Sequence, residues 1–214
     1  MRKGEKSRLL IIEGCTQIMN TEGVNLTLNQ LANKLGVSRG MINHHFKTKD
    51  SLFIAIAEEY ERKLLEINKK FDEEHKEFSF EALEKRYSII MDHQFEFRCA
   101  ITYIVSSGHD DPELSKYITK RYKGNKEKLK QLLNAMVSLG MLSEDVLEKE
   151  NMENFIFGFI NHFTNWVLHY NLYDREEDYE HVKSIYLNNI MHQYYRFKKI
   201  KDPSVQSKQT HSTS

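Results

Sequence analysis

The sequence of 214 residues predicts an all-α protein, and three observations support this. Prolines occur only at Pro112 and Pro203, and glycines number nine, so long segments run without a helix-breaking residue. Apolar residues recur three and four positions apart along most of the chain, as on one face of a helix. Alternating apolar and polar runs bounded by turn residues, the pattern of strands, are not evident.

The first helix is predicted over about residues 5–20, and a pair of short helices follows within residues 27–46. Thr27 is suited to cap the first helix of the pair, and Gly36 can adopt the left-handed conformation that ends it. Ser38 caps a second helix that continues to Phe46. Helix, glycine turn and helix form the pattern of a helix-turn-helix, whose second helix enters the DNA major groove. The same hairpin also occurs as ordinary packing in all-α proteins, so the local pattern leaves both interpretations open.

The remaining chain reads as further helices separated by polar breaks. Thr48 is a third N-cap, and the helix after it carries an apolar stripe as far as Phe71. Further helices are predicted at 80–106, 113–139, 143–149, about 151–171 and 176–199. Residues 201–214 are polar and are predicted to be a disordered tail.

The helix at about 151–171 has an unusually wide and aromatic apolar face. Such a face can serve the core of its own chain, a partner subunit, or both. Its apolar residues are Met152, Phe155, Ile156, Phe159, Ile160, Phe163, Trp166, Val167 and Tyr170.

Charge is distributed unevenly although the formal net charge is zero. Residues 1–50 hold eight Lys and Arg against four acids, a net of +4, whereas residues 51–195 hold 18 against 26, a net of −8. The segment from Arg196 has a net of +4. A basic N-terminal region concentrates attraction for phosphates at one end of the chain.

The run from Gly23 to Leu52 resembles the N-terminal domain of the TetR family of bacterial transcriptional repressors. One position departs from the family, which usually has a tyrosine where this chain has Asn43. The matching residues are Gly23, Thr27, Leu31, Ala32, Leu35, Gly36, Val37, Ser38, Gly40, Ile42, His45, Phe46, Lys49 and Leu52.

This resemblance implies a three-helix helix-turn-helix DNA-binding domain at 1–50 and a larger helical effector-binding and dimerisation domain at 51–200. The implied function is a ligand-responsive repressor that binds a two-fold symmetric operator as a homodimer. The dimer would form through the helices at about 151–171 and 176–199, and a small lipophilic or aromatic effector would release the DNA. The alternative is an all-helical protein-interaction module that does not bind DNA.

Within the helix-turn-helix, Arg39 is suited to a guanine edge or a phosphate, and Asn43 to an adenine edge. Lys49, at a helix start, is expected to meet the DNA backbone. Ile42 and Phe46 are interpreted as core residues. The predicted DNA-binding residues are Thr27, Ser38, Arg39, Gly40, Met41, Asn43, His44 and Lys49.

For the effector, the second domain offers aromatic residues with a few polar groups, the composition of a small-molecule pocket. For any one of these residues, a place in the core is the more common explanation. The candidates are His93, Phe97, Tyr103, Tyr122, Phe159, His162, Phe163 and Trp166.

Other classes of function lack a pattern in this sequence. No glycine-rich phosphate loop, nucleophile elbow or HExxH motif is found, so we expect no enzyme, catalytic residue, metal site or cofactor. The charged start does not resemble a signal peptide, and no apolar run approaches the roughly 18 residues of a membrane span. Cys15 and Cys99 lie among apolar neighbours, which favours free thiols in a cytoplasmic protein.

Overall fold

The computed structural model describes residues 3–106 and 111–199. The predicted tail at 201–214 lies outside these residues. Within the described part, the fold is helical, with an isolated antiparallel bridge between Leu142 and Lys198. The helices are α1 (Lys3–Glu22), α2 (Leu28–Leu35), α3 (Arg39–His45), α4 (Lys49–Glu74), α5 (Phe80–Glu96), α6 (Arg98–Ser106), α7 (Pro112–Ser138), α8 (Lys149–Tyr173) and α9 (Tyr179–Tyr195).

The all-α prediction is confirmed, and most predicted helices are found within a few residues of their expected bounds. The short helix expected at 143–149 is a 3₁₀ turn at Glu144–Leu147. Within the described residues, none of the helices is both long and apolar enough to span a membrane.

We call α1–α3 the head and α5–α9 the body, with α4 connecting them. A first group of buried residues, the head cluster, fills the space between α1, α2, α3 and the start of α4. It also takes in residues of α6 and α7, so the predicted boundary between residues 50 and 51 stays a prediction. The head cluster consists of Ile11, Ile12, Cys15, Met19, Leu31, Ala32, Ile42, Phe46, Leu52, Phe53, Ala55, Ile56, Phe97, Cys99, Ala100, Tyr103 and Leu114.

The body has a second group, the body cluster, in which the aromatic face of α8 is largely covered by its own chain. Close approach of α8 and α9 is helped by Gly158, where an added Cβ would lie 3.1 Å from Oε1 of Gln193. The body cluster consists of Phe80, Leu83, Tyr87, Ile90, Met91, Leu129, Leu133, Met136, Leu142, Val146, Phe155, Ile156, Phe159, Trp166, Val167, Tyr170, Val182, Leu187, Ile190, Met191, Tyr194 and Phe197.

The prediction of one helix over 80–106 is wrong, because the chain breaks at Phe97 into α5 and α6. The break leaves main-chain groups that Asn20, in the head, satisfies. Its Nδ2 donates to the Glu96 carbonyl at 2.7 Å, and its Oδ1 accepts from the Cys99 amide at 2.9 Å. The residues around Phe97 include no proline or glycine, so the local sequence gives no indication of the break.

Candidate nucleic-acid interface

Side-chain caps fix the two helices of the helix-turn-helix. The Thr27 amide donates to Oε1 of Gln30 at 2.8 Å, and the Gln30 amide donates back to Thr27 Oγ1 at 3.3 Å. At the other end of α2, Gly36 has φ 67°, a left-handed conformation that glycine adopts without a steric cost. The Met41 amide donates to Ser38 Oγ at 3.1 Å, which starts α3. The predicted caps at Thr27, Gly36 and Ser38 are therefore confirmed.

Helix α3 has one buried and one exposed face. Ile42 and Phe46 belong to the head cluster and are almost fully buried, as the sequence predicted. Met41 is partly buried against the same cluster. Arg39 and Asn43 are exposed and lie four positions apart, on neighbouring turns of one face.

The exposed face of α3 is available for a partner. Among the described residues, the side chains of Arg39, Asn43 and His44 take part in none of the hydrogen bonds or ion pairs within the chain. An added Cβ at Gly40 would meet Ser38 Oγ at 3.9 Å as its nearest described neighbour, so the backbone is uncovered there. A partner can approach this backbone more closely than it could a helix that carries a side chain at that position.

The histidines at the end of α3 differ in their surroundings. His44 is exposed, and its ring meets the edge of His45 with a centroid separation of 5.1 Å. Burial, together with the charges of His44 and Arg8, lowers the pKa of His45. His45 is therefore neutral at neutral pH and contributes no positive charge to the exposed face.

The start of α4 supplies a second group of cationic residues. Thr48 caps this helix, because Oγ1 accepts from the Ser51 amide at 3.0 Å. The ammonium of Lys49 lies 5.1 Å from the ring centroid of Tyr103, and burial lowers its pKa. Lys47 is exposed in the connection between α3 and α4. Lys47 was not among the predicted DNA-binding residues, although its place between α3 and the start of α4 can be inferred from the sequence.

The eight candidate effector residues do not form one group. Phe97 and Tyr103 belong to the head cluster, whereas Phe159 and Trp166 belong to the body cluster, with Phe163 packed against it. Tyr122 and His162 are exposed.

His93 is buried beside the head cluster, where its ring meets the edge of Phe97 with a centroid separation of 4.9 Å. Its Nε2 donates to the Tyr60 carbonyl at 2.9 Å, and its ring stacks on that of Tyr60 with a centroid separation of 4.7 Å. None of the eight candidates lines the cavity beside Phe71 and Leu83 or the cavity beside Arg98 and Tyr170. Their role in effector binding stays a prediction.

Helices α8 and α9 also expose apolar residues. Phe157 is 68% exposed and Ile185 is 46% exposed. Phe157 was not selected from the sequence, because it lies outside the aromatic stripe from which the apolar face of α8 was predicted.

Within the described residues, no group of three or more His, Cys, Asp or Glu is placed to hold a metal ion.

Comparison with known proteins agrees with this geometry. Residues 11–56 match the family model described as bacterial regulatory proteins, tetR family. No curated protein matches the chain by sequence.

Solved structures match nearly the whole chain. A TetR-family transcriptional regulator from Marinobacter aquaeolei VT8 has a TM-score of 0.72 at 17% identity, covering 93% of this chain and 92% of that one. The fatty acid degradation regulator FadR from Bacillus halodurans has a TM-score of 0.66 at 16% identity, covering 89% and 97%. A SmeT–triclosan complex has a TM-score of 0.62 at 16% identity, covering 92% and 93%.

The α2–α3 pair, with its glycine turn and the exposed face of α3, is a helix-turn-helix. The resemblance predicted from the sequence is confirmed: residues 11–56 match the tetR family of bacterial regulatory proteins, and the chain shares its fold with solved TetR-family transcriptional regulators.

Proposed function

We propose that this protein is a ligand-responsive transcriptional repressor that binds two-fold symmetric operator DNA as a homodimer. The observation that carries the proposal is the outward face of α3, where the side chains of Arg39, Asn43 and His44 have no hydrogen-bond or ion-pair partner within the described chain. Polar groups held in place on a packed helix, without an internal partner, are suited to reading base edges. Lys47 and the amides at the start of α4 are suited to a neighbouring phosphate.

A dimer follows from the geometry of DNA. Two recognition helices must lie about one helical turn of DNA apart, or a multiple of it, which one copy of this chain does not provide. The apolar residues Phe157 and Ile185 on α8 and α9 are suited to an interface between two copies.

The effector is proposed to be lipophilic or aromatic. Two proteins with this fold are named for, or bound to, compounds of that kind: a fatty acid degradation regulator and a complex with triclosan. The effector would shift the protein towards a state in which the two heads are wrongly spaced for the operator.

DNA binding is tested by fluorescence anisotropy with fragments of the promoter of the protein's own gene, over a series of salt concentrations. Arg39→Ala should change the preference at one base pair by about 1–3 kcal/mol. Lys47→Ala should weaken binding to all sequences and reduce the slope of affinity against salt by about one. Lys47 is preferred to Lys49 for this test, because the Lys49 side chain packs on Tyr103 and its loss would also disturb that contact.

If the two variants changed affinity in the same way across all fragments, the division into base and phosphate contacts would be wrong. If the unaltered protein had no salt-dependent affinity for DNA, the protein-interaction alternative would be preferred.

Dimerisation is tested by sedimentation equilibrium. Phe157→Glu should produce monomers, because it places a charge in an apolar interface. Leu65→Glu on α4 is the matched control, since Leu65 is also 68% exposed but lies outside α8 and α9. Equal behaviour of both variants would rule out the proposed interface.

A further inference from the structure

Between the head and the body lies a cavity of about 300 Å³. The head side of its wall includes Met19 and Asn20 at the end of α1, and Val24 after it. The body side comes from the α5–α6 junction and the end of α8. Its volume is at the lower end of the range for small-ligand sites.

The charged groups of this cavity are arginines. Arg98 and Arg175 both line it, and the lining residues that the structure describes include no Asp or Glu. Within the described chain, neither guanidinium forms an ion pair with a carboxylate. A concave site that is lined by two arginines and by no Asp or Glu is suited to an anion.

Arg98 is partly buried and is held in place by neutral acceptors. Its guanidinium donates to the carbonyls of Phe95 at 3.0 Å and Asn20 at 3.1 Å, and lies 4.3 Å from the centroid of the Phe95 ring. Burial lowers the pKa of Arg98, and the nearby charge of Arg175 acts in the same direction. The guanidinium nevertheless remains charged at neutral pH and keeps further N–H donors for an anion.

The rest of the wall combines apolar surface with neutral polar groups. Phe95, Tyr170 and Met19 supply aromatic and aliphatic surface. Asn171 and Thr102 supply amide and hydroxyl groups, with Asn171 Nδ2 donating to Thr102 Oγ1 at 3.4 Å. This combination fits a molecule with one anionic end and an apolar remainder.

We infer that this cavity binds a small carboxylate with an apolar body, whose carboxylate pairs with the guanidinium groups of Arg98 and Arg175. A planar carboxylate matches the fork of a guanidinium, and such charge-assisted bonds are about twice as strong as neutral ones. The aromatic wall takes the apolar part of the ligand.

Binding here has a consequence that rests on the proposed function. The bond from Arg98 to the Asn20 carbonyl joins the body to the head, beside the contacts that Asn20 makes across the α5–α6 break. A carboxylate that pairs with the remaining N–H groups of Arg98 draws the guanidinium towards the cavity and so weakens its bond to the Asn20 carbonyl. The ligand therefore alters the position of the head relative to the body and lowers operator affinity.

The site is tested by isothermal titration of the full chain with 2-naphthoate and with its neutral analogue, 2-naphthamide. The carboxylate should bind at least about tenfold more tightly than the amide. Inorganic phosphate, which has no apolar part, should bind more weakly than 2-naphthoate. Equal affinity for 2-naphthoate and either control compound, or no binding of 2-naphthoate, would overturn the proposal.

Variants locate the binding. Arg98→Met keeps much of the stem and removes the charge, and should weaken 2-naphthoate binding about tenfold or more. Arg175→Gln, at an exposed position, should weaken it several-fold and keeps the test decisive if Arg98→Met does not fold. Arg196→Gln is the matched control, since Arg196 is exposed at the end of α9. This variant should bind 2-naphthoate as tightly as the unaltered protein does. Unchanged binding by Arg175→Gln would overturn the assignment.

The effect on DNA is measured separately. In the unaltered protein 2-naphthoate should lower operator affinity, and in Arg175→Gln it should do so only at several-fold higher concentration. If the protein never bound DNA, the proposed function would fail while the titration would still decide the carboxylate site. If 2-naphthoate bound at this site without changing DNA affinity, the coupling through Arg98 and Asn20 would be wrong.

Discussion

The head and the body differ in how their buried polar side chains are bonded: in the head, the buried Thr16 Oγ1 donates to the Ile12 carbonyl of its own helix at 2.7 Å, whereas in the body such groups bond from one helix to another. In the body, the buried indole of Trp166 donates to Gln94 Oε1 at 2.6 Å, and Gln94 Nε2 donates to the Phe163 carbonyl at 2.9 Å. The hydroxyls of Tyr87 and Tyr194 lie 2.5 Å apart in the same region.

The two regions also place their polar side chains differently. In the head, the polar side chains of Arg39, Asn43 and His44 lie on the exposed face of α3. The body binds its polar groups to one another, and each such pair fixes the relative position of two helices, because an unpaired buried group is costly. Polar pairs therefore fix the helices of the body relative to one another, whereas the helices of the head pack mainly through apolar side chains.

The largest effect is expected in the head. Ile42→Ala should lower the free energy of unfolding by about 2–5 kcal/mol, because it leaves a cavity under the recognition helix. The effect is measured by denaturant unfolding followed by circular dichroism. Asn43→Ala on the exposed face is the control and should change stability by less than about 0.5 kcal/mol. Similar losses for both would mean that α3 does not have separate packing and recognition faces.

The tyrosine pair tests whether polar partners stabilise the body. Tyr194→Phe should cost about 1–3 kcal/mol, because the buried Tyr87 hydroxyl loses its partner. Tyr87→Phe combined with Tyr194→Phe should cost less than either single change, since no unpaired hydroxyl remains. Additive losses in this double-mutant cycle would show that the two hydroxyls do not interact.

The thiols of Cys15 and Cys99 should make head stability depend on pH. Burial raises the pKa of each from 9.0 to about 12. The thiols therefore stay protonated in the folded protein but ionise on unfolding above pH 9, so their stabilising contribution is complete below pH 9 and is lost as pH rises towards 12.

At pH 10, ionisation of the unfolded chain should have lowered the free energy of unfolding by about 1 kcal/mol per thiol relative to pH 8. Denaturant unfolding at the two pH values measures the difference. Cys15→Ala combined with Cys99→Ala should largely remove it. An unchanged pH dependence in that variant would assign the effect to other groups.

The smallest effect concerns Gly40. Gly40→Ala should stabilise the isolated protein by about 0.5–1 kcal/mol, because alanine favours a helix and an added Cβ has open space there. The same change should weaken operator binding if DNA approaches the bare backbone. Thermal unfolding and anisotropy titration together decide this, and a variant that is more stable with unchanged affinity would show that DNA does not approach the Gly40 backbone closely.

Much of the head was predicted from the sequence because its determinants are local. Each of Thr27, Ser38 and Thr48 bonds to a group three residues further along the chain. The left-handed conformation of Gly36 ends the helix that directly precedes it. The buried places of Ile42 and Phe46 followed from helical spacing alone. The sequence alone therefore determined the all-α class, the helix-turn-helix and the family of the N-terminal domain.

Only the tertiary structure decided features whose partners are distant along the chain. The α5–α6 break is satisfied by Asn20, which is 76 residues from Glu96, and no local pattern reports such a bond. The same holds for the pairing of Arg98 with the head, and for Tyr122 and His162 remaining at the surface. Helical periodicity tells which residues share a face, but what covers that face depends on how the helices pack.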